Sequence, residues 1–357
     1  GELIVPGFIF KESWLYISFH TATYGLMIYF LKEFTWENWK KAAIASAIIF
    51  LAPASFSIFY DAILIDAFLG ILAGCTVGYL LDDKGRDRVD RLRLLLAISC
   101  LVLTKDAGFY MAVFIAVLGI IKIMLINKKE KYDVSTFFSI MLVSAFLLLP
   151  KITWEMEIKQ NQIEKSFGSP VSIAGFFNLL LGRSAKDYRW ETFINFGKKM
   201  TQAQVSIGDT NIQLSYILTT VILLSVIGTM LYLLFYHEKR LWGNTLTVAL
   251  IVFSGAYIVS MCLMYMYKFS PKEAVSLAAF QRYINILFTM LLTISWILLL
   301  KLFVTRNRTQ VKWHILVLLL LCIPSMPVLG VFSGTSARIS YEVREPCFQG
   351  VKKIENA

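Results

Sequence analysis

The chain has 357 residues, of which 57% are hydrophobic, with a mean hydropathy of +0.65 and a formal net charge of +11. Apolar runs of about twenty residues recur along its whole length, which marks a polytopic membrane protein and excludes a soluble globular class. The positive charge does not point to nucleic acid, because the Lys and Arg residues fall in short clusters between apolar runs, where membrane topology accounts for them.

Of the five cysteines, Cys75, Cys100, Cys262 and Cys322 lie within apolar runs and only Cys347 lies outside them. That pattern carries neither a disulfide framework nor metal-ligand spacing. The first residue is Gly1, with no charged-then-apolar signal segment after it, so the expectation is a piece of something longer.

Taken in chain order, the runs that could span a bilayer are Ser13 to Leu31, Ala42 to Phe59, Ala62 to Leu81, Leu94 to Ile126, Val134 to Pro150, Leu214 to Tyr236, Thr245 to Tyr267, Ile284 to Leu300 and Trp313 to Phe332. Five connections are dense in Lys and Arg: KEFTWENWKK, DDKGRDRVDRLR, NKKEKY, HEKR and KLFVTRNRTQVK. The positive-inside rule sets them in the cytoplasm. For DDKGRDRVDRLR and NKKEKY to share a side, the run between them must cross twice, and its only polar break is Thr104 to Gly108.

The predicted fold is therefore all-α and polytopic, with about ten transmembrane helices. The N-terminus, a long loop at 151–212 carrying interfacial helices, the Lys268 to Arg282 segment and the C-terminal tail lie outside. Residues 1–334 form the transmembrane domain, and 335–357 an external tail or the start of a truncated soluble domain. An external N-terminus without a signal segment implies at least one helix upstream.

Several charges then need a reason. Lys11 and Glu12 flank the first span, and His20 lies in it, as a neutral hydrogen-bonded residue or a functional one. In the third span, FSIFYDAILIDAFLG, Asp61 sits at the membrane edge while Asp66 is more than a turn inside, about 7 Å deeper. Carboxylates in lipid are expensive and face a cavity or a partner. Lys105 is only twelve residues on from Arg93, roughly 18 Å of helix against a hydrocarbon core of about 30 Å. The second leg, Gly108 to Lys128, would span the core by itself unless Lys122 snorkels at its inner boundary. Two readings of Lys105 and Asp106 stand: an apex recessed in a wet vestibule opening outward, which we favour, or a tight surface turn with solvated charges.

In the external loop, Phe193, Phe196 and Met200 recur at helical spacing opposite Glu191, Lys198 and Lys199, as in a helix at the membrane interface, and Trp154 and Trp190 suit a headgroup belt. Ser270-Pro271-Lys272-Glu273 is a capping box with proline at the first helical position. It predicts a helix running unbroken into the ninth span, with Arg282 about 16 Å along it. That guanidinium either enters the vestibule or snorkels to headgroups. The outward-facing set, acidic at Asp66, Glu12 and Asp106 and basic at Lys105, Arg282, Lys11 and Lys272, suits a phosphate-bearing substrate together with a hydroxyl to be deprotonated or a cation to be bound. The sequence has no glycine-rich phosphate loop, HExxH, CxxC or GxSxG elbow.

Three motifs in this order resemble the membrane-embedded C-type (GT-C) glycosyltransferases. YDAILIDAFLG (60–70) resembles their span with a tyrosine before an aspartate at the outer helix end. LTKDAGF (103–109) resembles their short hairpin with a lysine, an acid and a glycine, and FSPKEAVSLAAFQRY (269–283) their late external helix ending in Arg-Tyr. Trp154, after the sixth span, also falls where such enzymes often place one. The likeness covers nearly the whole chain.

The resemblance implies transfer of a sugar from a polyprenyl-phosphate donor to a lipid, protein or polymer acceptor on the outer face of a bacterial cytoplasmic membrane. It implies catalytic roles for Asp66 and Glu12, donor-phosphate binding by Lys105, Arg282 and Lys11, and a vestibule wall of Tyr60, Asp106, Glu273 and Tyr283. The main catalytic acid of such enzymes lies in a first external loop that would precede residue 1, which puts activity of this stretch by itself in question. The cofactor is open, with a divalent cation the candidate. The alternative is a transporter or flippase for a lipid-linked or anionic solute. Against it stand the lack of an internal repeat and the gathering of polar residues toward one face. A non-catalytic scaffold would leave the recessed charges unexplained.

Overall fold

The computed structural model describes residues 12–32, 40, 43, 65–81, 88–126, 134–162, 188–206, 213–235 and 240–305. The chain divides into two compact units, one made of 1–64, 206–213 and 315–357, the other of 65–205 and 214–314. In the first unit, α1 (Glu12–Ile28) runs into a single 3-10 turn, Tyr29–Leu31. Apart from residue 43, the expected spans at 42–59 and 313–332 lie outside the described residues.

The second unit holds α2 (Ile65–Leu80), α3 (Arg88–Thr104), α4 (Asp106–Ile126), α5 (Val134–Gln160), α6 (Tyr188–Thr201), α7 (Tyr216–Phe235), α8 (Arg240–Tyr267), α9 (Pro271–Ser276) and α10 (Phe280–Thr305). Two short strands, Ala203–Ser206 and Gln213–Ser215, lie between α6 and α7. Among the described residues, five stretches are long and apolar enough to cross a membrane: Asp106–Leu125, Phe138–Gln160, Tyr216–Phe235, Arg240–Tyr267 and Phe280–Phe303. Helix is the form that satisfies every backbone polar group of such sequences without water. Hydroxyls on α2 and α10 follow suit: Thr76 donates to Leu72 O, Thr289 to Asn285 O, Thr293 to Thr289 O and Ser295 to Leu291 O, each one turn back.

α10 is buried along almost its whole length, and α2 packs closely along it. The contact uses Gly70 and Gly74. A Cβ on Gly70 would lie 2.6 Å from Ile286 O, and one on Gly74 would lie 2.6 Å from Thr293 Cβ and 2.9 Å from Met290 O. Small residues four apart let two helix backbones approach to this distance in a membrane. Moving from Gly70 to Gly74 also moves from Ile286 to Met290, so α2 and α10 run parallel.

α3 and α4 meet at Lys105, the single non-helical residue between them, and pack against each other as a hairpin. Gly108 N–H donates to Lys105 O at 2.8 Å. A Cβ on Gly108 would overlap Leu101 O, so the close crossing of the two legs requires glycine. Leu69 lies against Gly108 and Leu80 against Gly119, so α4 runs parallel to α2. Lys122 does not snorkel alone: its ammonium donates to Leu80 O at 2.5 Å, at the last carbonyls of α2, and lies 5.9 Å from the Trp242 ring centroid.

Two expectations about element boundaries are corrected. α5 does not stop at Pro150 but continues to Gln160, so the segment read as a loop from residue 151 starts as helix. Proline removes the N–H that would bond Phe146 O. That carbonyl instead accepts from the Ser99 hydroxyl of α3 at 2.7 Å, which satisfies the freed group from a neighbouring helix. Trp154 consequently sits on an exposed helical face.

The capping-box helix does start at Pro271, with the Glu273 carboxylate accepting from Ser270 N–H at 3.3 Å and Ser270 Oγ at 2.7 Å. It does not run on. Leu277 (φ 53°) and Ala279 (φ 56°) are left-handed, and α10 starts afresh at Phe280. The last carbonyls of α9 are closed by Leu277 N–H to Ala274 O and Ala278 N–H to Glu273 O. Tyr265 Oη donates to Ala278 O at 2.6 Å, fixing the break from α8. Neither left-handed residue is glycine, so tertiary contacts bear a strain of about 1–2 kcal/mol at each.

The amphipathic helix is present as α6, and part of its apolar face packs against its neighbours. Thr192, Phe196 and Met200 are buried, and Phe196 packs edge-on to Phe280. Asn195 donates to Val275 O at 3.0 Å, and Arg189 Nε to Met266 O at 3.3 Å. α6 thus braces α9 and the end of α8.

Candidate functional site

Asp66 lies in the first turn of α2, where the helix dipole favours a carboxylate, yet its side chain is only 6% exposed. A buried unpaired carboxylate would cost several kcal/mol or take up a proton. Here each oxygen has a cation. Oδ1 accepts from Lys105 Nζ at 2.5 Å, and Oδ2 accepts from Arg282 Nε at 3.1 Å and Nη2 at 2.7 Å.

Three features of local structure bring these groups together. Lys105 is the tip of the α3–α4 hairpin, so its long side chain leaves the only turn between two packed helices. Arg282 is in the first turn of α10, because the left-handed break ends α9 and restarts the helix at Phe280. The glycine contact then sets the register: Asp66 is four residues before Gly70, and Arg282 four before Ile286. One turn along each of two parallel helices brings carboxylate to guanidinium.

The charge balance is uneven. One carboxylate against two cations leaves one positive charge in excess. Arg282 has five N–H donors and Lys105 three. Only three of these reach Asp66, and the remainder have no partner among the described residues. Side-chain exposures of 31% for Lys105 and 41% for Arg282 leave those donors reachable. Such an arrangement can hold an anion by charge-assisted hydrogen bonds.

Tyr283 follows Arg282 and forms an aromatic side of the site. Lys105 Nζ lies 5.0 Å from its ring centroid, in cation–π range. Its ring meets Tyr265 and Phe269 edge-on at centroid distances of 6.2 and 5.9 Å. Tyr257 Oη donates to Tyr283 O at 2.7 Å, tying the first turn of α10 to α8.

The other candidate residues fall elsewhere. Asp106 is adjacent to Lys105 but turns away, its exposed carboxylate 3.4 Å from Lys151 Nζ on α5. Lys151 also pairs with Glu155 at 2.9 Å. The Glu273 carboxylate is engaged in capping α9. Lys11, Tyr60 and Asp61 lie outside the described residues, as do the side chains of Glu12 and His20. Among the described residues no group of three or more His, Cys, Asp or Glu side chains is placed to hold a metal ion. Both oxygens of Asp66 are taken by cations, which does not suit it as a divalent-cation ligand.

Sequence reasoning passed over Lys151, Tyr257 and the glycines of α2. The last had a readable signal, since GILAGCTVG (70–78) is a small-residue repeat at spacing four inside an apolar run.

Long apolar helices, with a partly exposed cluster of two cations and one carboxylate at one end of the second unit, fit an α-helical membrane protein. No family model, no curated protein and no solved structure matches the chain.

Proposed function

We propose that the protein is a C-type membrane glycosyltransferase, in which Lys105 and Arg282 hold the phosphate of a polyprenyl-phosphate-linked sugar while the sugar passes to a lipid, protein or polymer acceptor. The observation that carries this reading is the Asp66 carboxylate bound by both cations, which gathers the three motifs of the resemblance into one cluster with a positive charge to spare. When the bond from the sugar to the phosphate oxygen breaks, a phosphodiester monoanion becomes a monoester dianion. Two cations aimed at that oxygen stabilise the charge as it develops.

The orientation we propose follows from helix direction. α2, α4, α7 and α10 start at the end where α3, α5 and α8 finish, and Asp66, Lys105 and Arg282 share that end. The connections DDKGRDRVDRLR, NKKEKY and HEKR join helix ends at the other. With those in the cytoplasm, the cluster faces outward in a bacterial cytoplasmic membrane, within a ten-span topology.

The test is donor turnover by the full-length protein in membranes, with Lys105→Ala and Arg282→Ala beside the parent. Loss of at least about a hundredfold in kcat/KM is expected, the scale for removing an oriented charged donor. Unchanged turnover by well-folded variants would overturn the assignment. Sealed vesicles in which a labelled lipid-linked solute crosses the bilayer without loss of its sugar would favour transport instead.

A further inference from the structure

We infer that Asp66 is a positioning residue: its two carboxylate oxygens clamp Lys105 and Arg282 into a two-cation site, and it is not the proton acceptor of the reaction. The inference rests on the proposed transfer only for its catalytic half, since the clamp itself is a matter of geometry.

A general base needs a lone pair directed at the proton it removes and a path for the acceptor to reach it. Three of the about four lone-pair sites of Asp66 are taken by cations, and little of the side chain can be reached. Oδ1 is engaged by an ammonium at 2.5 Å, Oδ2 by two N–H groups of one guanidinium, and the side chain is 6% exposed. The exposed part of the cluster is its cations. The carboxylate lies behind them, in the first turn of a helix whose Gly70 and Gly74 fix it against α10.

Lys105 and Arg282 would otherwise repel each other, and each stands on a different helix end. A single carboxylate binding both holds two like charges close enough to share one anion. It also lowers the net charge of the site from two to one, which matches a phosphodiester monoanion in the ground state and leaves a preference for the dianion as it forms. The acceptor proton then goes to a carboxylate other than Asp66.

The experiment uses the full-length protein in detergent, with Asp66→Asn, Asp66→Glu and the double variant Asp66→Asn/Lys105→Gln. The first readout is acylation of Lys105 by an amine reagent, followed by peptide mass spectrometry. Release from the carboxylate in Asp66→Asn should raise the Lys105 rate by at least about fivefold, and Asp66→Glu should restore it toward the parent. The second readout is the pH profile of donor turnover, whose acid limb should persist in Asp66→Asn with its position unchanged while the donor KM rises. An unchanged Lys105 rate, or loss of the acid limb with KM unaltered, overturns the inference.

Should Asp66→Asn not fold, the double variant keeps the native net charge at the site. Phenylglyoxal modification of its Arg282, compared with Lys105→Gln alone, then reads the same clamp, with faster modification expected and equal rates overturning it. If the parent protein turns over no polyprenyl-phosphate sugar, the proposed function fails, whereas the labelling rates still decide whether Asp66 holds the two cations.

Discussion

Asp66 and Arg282, 216 residues apart in sequence, share two hydrogen bonds at 3.1 and 2.7 Å. The same offset relates Gly70 to Ile286 and Gly74 to Met290, pairs at which the two helix backbones approach closely. The ion pair is thus the first rung of a ladder whose lower rungs are backbone contacts of α2 with α10.

Gly70→Ala tests that ladder. Its Cβ would lie 2.6 Å from a backbone oxygen and 2.9 Å from Thr289 Cβ, neither of which can rotate away. A loss of about 1–3 kcal/mol is expected, as for overpacking in a core, read as a lower unfolding midpoint in detergent. Gly119→Ala, whose Cβ meets only Leu80 Cδ2 at 3.6 Å, should change stability by less than about 0.5 kcal/mol. Equal effects of the two would refute the register.

Removing the carboxylate should cost more than removing carboxylate and lysine together. Asp66→Asn leaves two cations facing each other, whereas Asp66→Asn/Lys105→Gln leaves one. Breaking a fully buried pair costs about 3–5 kcal/mol, but the 41% exposure of Arg282 discounts this to roughly 2. Thermal unfolding of the double variant should fall between the single variant and the parent. A double variant less stable than the single would contradict the charge balance.

Ser99→Ala removes the donor that satisfies the carbonyl opposite Pro150. A loss of about 1 kcal/mol is expected. In a Pro150→Ala background the restored N–H takes that carbonyl, so the serine should become dispensable and its substitution cost close to nothing. A chemical-denaturation cycle over the four proteins checks this, and additive effects would count against the shared acceptor.

The break between α9 and α10 makes two opposite predictions. Tyr265→Phe loses the hydroxyl on Ala278 O and should destabilise by about 1 kcal/mol while lowering turnover, because the start of α10 carries Arg282. Ala279→Gly relieves the left-handed strain and should stabilise by about 0.5–1 kcal/mol. If glycine at 279 destabilises, the left-handed conformation there is wrong.

How far the sequence reached is clearest at particular residues. The hairpin at Lys105 was legible from two Lys/Arg-rich connections that had to share a side of the membrane. The start of α9 was legible from Ser270 to Glu273, a capping signal that works within four residues. The need of Asp66 for a partner followed from its depth in an apolar run. The break at Leu277 and Ala279 was not legible, since VSLAAF contains neither glycine nor proline and a tyrosine from α8 holds it. Nor was the passage of α5 through Pro150, whose compensation comes from Ser99 on another helix.

By itself, then, the sequence determined that this chain folds into apolar helices, where some of them begin, and which charges needed a reason. Hydropathy, backbone capping and topological charge act over a turn or a span, so they can be read locally. Only the tertiary structure decided that Asp66 takes Lys105 and Arg282 as partners while Asp106 and Glu273 go elsewhere. That choice depends on helix register, set by close backbone contact at Gly70 and Gly74 with residues more than two hundred positions away, and no local pattern encodes it.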